Sequence, residues 1–215
     1  MIRKLAARRQ AILAAAFDVA SEHGIAAVQI VPIADRAGIA AGTVYRYFPS
    51  KRDLVAAVAD AFSEQELLAM QAAARAAPGP LSALAAAIAT FATRAMARRR
   101  LVFALIAEPT EPELDAARAR FRSSLVAELT ALIAGALADG QLWDQHAALV
   151  APALVGALID GLVGPLALPP EGAAMARAHV QQLTLFALRG LGLSDARARG
   201  LVVQTDIAAS LYTAP

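Results

Sequence analysis

The stretch Ile33-Ala34-Asp35-Arg36-Ala37-Gly38-Ile39-Ala40-Ala41-Gly42-Thr43-Val44-Tyr45-Arg46-Tyr47-Phe48-Pro49-Ser50-Lys51 decides how this chain is read. Two short helical periodicities meet there across a sharp turn. Ile33, Ala34 and Ala37 share one face of a helix expected over about Ile30 to Ala37. Pro32 fits in its first turn, where a missing N–H costs nothing. Gly38 ends that helix, and Ile39 plugs the angle before a third short helix over about Ala41 to Tyr47. Val44 and Phe48 give the third helix its inner side. Ala41, Gly42, Thr43, Tyr45, Arg46 and Tyr47 are left facing outward. Small residues at 41 and 42 permit close approach to a groove, and the threonine, tyrosines and arginine reach phosphates or base edges.

Working outward, Pro49 stops the third helix and Ser50-Lys51-Arg52-Asp53 reads as a capping box. The serine hydroxyl caps the N–H of Asp53, and the carboxylate answers the serine's own N–H. A long helix is therefore expected from Lys51 to about Ala77, with Val55, Val58 and Phe62 as its apolar stripe. Upstream, Ile12, Ala16 and Val19 place a helix over about Lys4 to Glu22, stopped near Gly24. Three short helices with tight turns make a helix-turn-helix unit. Charge agrees: residues 1–55 hold eight basic and four acidic side chains, a surplus of +4, while the whole chain carries +2. That asymmetry points to an anionic partner for the N-terminal part.

The stretch from Ile33 to Lys51 resembles the DNA-binding signature of TetR-family transcriptional regulators, a long motif of fixed spacing, and the resemblance extends over residues 10–55. It implies that Ala41, Gly42 and Thr43 meet base edges, with Tyr45 one turn on, and that Tyr47 and Lys51 meet phosphates. Lys51 also opens the long fourth helix, whose dipole adds to the pull on a phosphate. Arg3 and Lys4 resemble the basic arms that some members lay along DNA. Two positions depart from the signature. Gln29 stands where a capping Ser or Thr is usual, and Ala40 replaces the usual serine cap of the recognition helix. Ala41 offers no side-chain hydrogen bond, so shape readout gains weight.

The rest of the chain reads as helix throughout. Of 215 residues, 57 are alanine, the best intrinsic helix former, and aromatics are only 5%. The fold class expected is all-α: a DNA-binding domain over 1–55 and a helical domain over 56–215. Pro78-Gly79-Pro80 separates the long fourth helix from one at 81–98. A segment at 101–107, a long helix from about Pro112 to Ala138 and an apolar helix at 145–164 follow. After these come a helix from Glu171 to about Leu191 and a short one near Ser194–Val203.

The resemblance implies that residues 56–215 bind a small-molecule effector and form a homodimer. An effector pocket of apolar walls with few polar groups would draw on Phe91, Met96, Phe103, Phe121 and Trp143. Glu108 and Arg94 are its nearest polar residues, both expected to be exposed. The helix at 145–164 is apolar nearly all round, which suits an interface. Leu154, Leu158, Ile159 and Leu162 on it, with Val180, Leu183 and Ala187 on the next helix, are the expected dimer contacts, helped by close approach at Gly156, Gly161 and Gly164. Arg98-Arg99-Arg100 reads as a solvated corner.

Other functions find little support. The chain has no cysteine, which excludes disulfides and thiolate chemistry. His23, His146 and His179 are scattered, and no phosphate loop, nucleophile elbow or zinc-helix motif is found, so no catalytic residue, metal site or cofactor is expected. The uninterrupted apolar run Ala147 to Ile159 is 13 residues, too short to span a bilayer. No membrane partner is expected, and the expected address is the cytoplasm. The reading that follows is a regulator, a repressor above all, that binds palindromic double-stranded DNA as a homodimer and lets go when an effector binds. The rival is a helical ligand-binding or structural protein whose helix-turn-helix no longer binds DNA, suggested by Gln29, Ala40 and Ala41.

Overall fold

The computed structural model describes residues 2–107 and 114–205. Among these residues every regular element is helical and no strand occurs. The elements are α1 (Ile2–His23), a 3-10 turn (Ile25–Ala27), α2 (Ile30–Arg36), α3 (Ala41–Tyr47) and α4 (Lys51–Ala76). Then come α5 (Pro80–Ala97), α6 (Arg99–Val102), a π-helical turn (Phe103–Ala107) and α7 (Asp115–Ala138). The last three are α8 (Ala147–Val163), α9 (Gly172–Gly190) and α10 (Asp195–Gln204). Arg3 and Lys4 fall in the first turn of α1 rather than on a preceding arm. Glu108 and Pro112, and the tail beyond Thr205, lie outside the described residues.

The chain divides into two compact units. One comprises the residues up to Ser63 together with Arg100–Ala119; the other comprises Glu64–Arg99 and the residues from Arg120 onward. Helices α4 and α7 each supply residues to both. In the first unit α2 packs on α1 and α3 packs on α2. Ile12, Ala16 and Val19 of α1, Ile33 and Ala34 of α2, Val44 of α3 and Val55, Val58 and Phe62 of α4 are all buried. The Phe17 and Phe62 rings stack with centroids 6.4 Å apart. Ala37 and Ile39 are half-buried. Arg118 donates to two carbonyls of the π-helical turn, to Ala104 O at 2.9 Å and Leu105 O at 3.2 Å.

In the second unit α5 packs along α9, α8 lies against both, and α10 covers α9 and α5. By length and composition alone α5 and α7 could each cross a membrane. In the fold α5 buries its apolar stripe, and α7 buries Phe121, Leu125, Leu129 and Ile133 at four-residue spacing.

The expected dimer residues turn out to be core of this chain. Leu154, Leu158, Ile159, Leu162, Val180 and Ala187 are all buried within it, and Leu183 is half-buried. The physical reason is visible at Gly161, where a Cβ would come 2.7 Å from Leu183 Cδ2. The glycine lets α8 and α9 of one chain approach each other, and that contact consumes the larger apolar stripes. At Gly156 a Cβ would meet nothing within 4 Å. The side turned to solvent carries other residues: Leu149, Pro152, Ala153 and Asp160 on α8, and Met175, Gln182 and Phe186 on α9.

Candidate functional site

Helix α2 ends in a Schellman motif, which fixes the angle of the helix pair. Gly38 takes φ +64°, its N–H donates to Asp35 O at 3.1 Å, and the Ile39 N–H donates to Ala34 O at 3.0 Å. A residue with a Cβ is strained at that φ, so glycine belongs there. The chain then runs through extended Ala40, whose carbonyl accepts the Thr43 N–H at 2.8 Å. Neither Ala40 nor Gln29 caps its helix through a side chain. Gln29 turns back instead and donates to Ala26 O at 3.2 Å.

Helix α3 is two-sided. Val44 is buried in it and Phe48 just beyond it, while Gly42, Tyr45 and Arg46 are exposed and Ala41, Thr43 and Tyr47 half-exposed. Phe48 is extended ahead of Pro49, as proline demands of its predecessor. Ser50 then starts α4: its hydroxyl accepts the Asp53 N–H at 3.2 Å and donates to Asp53 Oδ2 at 2.7 Å. This corrects the expected reciprocal box, because the carboxylate takes the hydroxyl proton rather than the serine N–H. Lys51 is the first residue of α4, half-exposed.

Two contacts that sequence reasoning missed brace this unit. Arg36 of α2 donates twice to Glu22 of α1, at 2.8 and 2.5 Å. The hydrogen bonds from Arg36 hold the Glu22 carboxyl below the ordinary glutamate range, against a smaller opposing effect of desolvation. The Arg9 guanidinium lies 5.3 Å from the centre of the Phe48 ring, a cation–π contact.

In the second unit Phe91 and Phe121 do meet, with ring centroids 6.4 Å apart and tilted by 58°. Phe91 also shares an apolar cluster with Met70, Ile88, Leu125, Leu129, Val155 and Leu158, packed so closely that no water-sized sphere fits between them. Met96 is buried on α5. Phe103 is half-buried on the π-helical turn, in the first unit. Trp143 is 78% exposed, with its indole beside Gly192, so it walls no interior. A surface groove of about 600 Å³ runs between the end of α4, α5 and α10, lined by Ala73, Ala76 and Ala86 together with Ser82, Thr90 and Gln204.

The expectation that Arg94 is exposed is overturned. Its side chain forks onto Glu66, with Nε to Oε2 at 2.7 Å and Nη2 to Oε1 at 2.8 Å, and Glu66 is buried. Arg98 Nη1 lies 3.7 Å from Glu66 Oε1. Arg99 donates to Leu162 O and Ala167 O at 3.3 and 2.7 Å. Arg98 and Arg99 are therefore tied into the fold, not a solvated corner. A signal for Glu66 was present in the sequence: it continues the stripe of Phe62 and precedes Met70, both buried.

The arrangement is matched in known proteins. Residues 12–58 fit the family model described as bacterial regulatory proteins, tetR family. The transcriptional repressor BepR of Brucella suis is 30% identical over 166 residues, covering 72% of this chain and 78% of the relative. The repressor KstR of Mycobacterium tuberculosis is 54% identical over 48 residues, which span 22% of either chain. Across the whole fold, the crystal structure of RolR in complex with resorcinol superposes with a TM-score of 0.67 at 21% identity, covering 95% of this chain and 97% of that one.

Proposed function

The chain belongs to the TetR family of bacterial regulatory proteins, and from that premise we propose that it is a DNA-binding transcriptional repressor, not an enzyme, working in the cytoplasm. The observation that carries this reading is the two-sided α3: apolar residues hold it from within while Gly42, Tyr45 and Arg46 stand free outside. In this reading residues 1–55 form the DNA-binding domain. Ala41, Gly42, Thr43 and Tyr45 enter the major groove. Arg46, Tyr47 and Lys51 meet the backbone, Lys51 from the start of α4. Residues 56–215 bind the effector and form the dimer. RolR's complex with resorcinol favours an effector site in this fold, and the cluster around Phe91 and Phe121 is its place here. A ligand there parts side chains that are now in contact.

Two-fold DNA sites require a two-fold protein, because the half-sites lie about 34–36 Å apart. The solvent face of α8 and α9 supports a homodimer. Leu149 of α8 is 74% exposed, and Phe186 and Met175 of α9 are 58% and 41% exposed. An electrophoretic mobility shift on DNA upstream of the protein's own gene tests the function. The reading expects a specific complex that weakens steeply with salt. A protein that binds no DNA at low salt leaves the rival, a helical ligand-binding protein with an inert helix-turn-helix.

A further inference from the structure

We propose that Arg94 and Glu66 are the polar recognition element of the effector site, and that the effector is an apolar molecule bearing one carboxylate. This rests on the reading above, that an effector enters the cluster around Phe91. That cluster draws apolar side chains from α4, α5, α7 and α8 and contains no polar group. Glu66 lies one helical turn before Met70 on α4, and Arg94 lies three residues after Phe91 on α5. Residues at these spacings share a helix face. The ion pair thus stands at the end of the apolar cluster, where a ligand with an apolar body would carry its head.

A buried ion pair is a poor stabilising device, because an apolar pair of similar volume usually does as well. The planar guanidinium, however, matches a carboxylate with two parallel hydrogen bonds, and it already makes both to Glu66. A ligand carboxylate accepts the same fork. Glu66 is not then stranded, since Arg98, one turn beyond Arg94, is already 3.7 Å away. The exchange moves Glu66 from one guanidinium to the next and keeps each carboxylate paired. An alcohol offers no charge for the fork, and an ammonium group has no lone pair to accept its hydrogen bonds. Glu66 belongs to α4, the helix that begins at Lys51, so its shift occurs on the element whose first residue meets phosphate.

The test is isothermal titration of the full chain with straight-chain carboxylates of graded length, each paired with the alcohol and the amine of equal length, all below their micellar concentrations. The expected result is an acid that binds at least tenfold more tightly than its alcohol. Arg94→Gln should bring the acid to the level of the alcohol. Arg94→Lys, which keeps the charge and loses the fork, should lose most of the preference and serves where Arg94→Gln fails to fold. Alcohols or amines that match the acids overturn the recognition element and leave the effector site standing. A series in which nothing binds up to millimolar concentration overturns both.

Discussion

Arg94 reaches across from α5 to α4 and holds both oxygens of Glu66, a carboxylate only 1% exposed. Removing Arg94 leaves buried Glu66 only the longer pairing with Arg98, 3.7 Å away. Arg94→Leu is expected to cost about 1–3 kcal/mol in urea unfolding, and adding Glu66→Leu should recover most of it. A single variant as stable as wild type would mean that the pair bears no load.

The turn between α2 and α3 makes an equally local prediction. At Gly38 a Cβ would meet nothing within 4 Å, yet φ is +64°. Gly38→Ala should therefore cost about 1–2 kcal/mol, all of it backbone strain. Gly42→Ala, in helical backbone and also free of neighbours, should instead stabilise by about 0.5–1 kcal/mol. Equal effects at the two positions would contradict the assigned turn.

The Glu22–Arg36 brace predicts a pH dependence. Hydrogen bonding to Arg36 lowers the folded-state pKa of Glu22. Its stabilisation is fully present above the unfolded glutamate value, about 4.3, and is lost as pH falls through the lower folded value. Glu22→Gln should lower Tm at pH 7, with the difference shrinking in acid. The Glu22 carboxyl resonance should titrate below the ordinary range in wild type and return toward it in Arg36→Gln. A midpoint at or above the ordinary value in wild type would contradict the brace.

Assembly can be separated from folding. Leu158 is buried in the chain's own core and Phe186 is exposed on α9. Leu158→Arg should unfold the second unit, while Phe186→Arg should give a folded protein of half the mass by light scattering. A Phe186→Arg protein that stays dimeric would move the interface off this face.

These contrasts mark what the sequence made legible. Gly38, Pro49 and Ser50 punctuate the backbone by local rules, so the boundaries of α2, α3 and α4 could be read within a residue or so. The outward residues of α3 followed from the same spacing. Burial in the second unit could not be read so. On α8 nearly every residue is apolar, so periodicity does not tell the stripe that meets α9 from the side left to solvent. Leu158 was therefore read as interface when it is core. Glu66 and Arg94 lie 28 residues apart on different helices, and their pairing depends on how α4 packs against α5. Trp143 misled through its size: it follows the end of α7 and lies on the surface beside Gly192.

The central claim, that α3 reads DNA while Lys51 anchors it, is tested most directly by salt-dependent affinity for a selected operator and for random DNA, measured on wild type, Tyr45→Ala and Lys51→Ala. Lys51→Ala should weaken both DNAs alike and reduce the slope of log K against log salt by about one unit. Tyr45→Ala should weaken the operator more than random DNA and leave the slope in place. If both variants bind the operator as wild type does, α3 and the start of α4 are not the DNA-binding face.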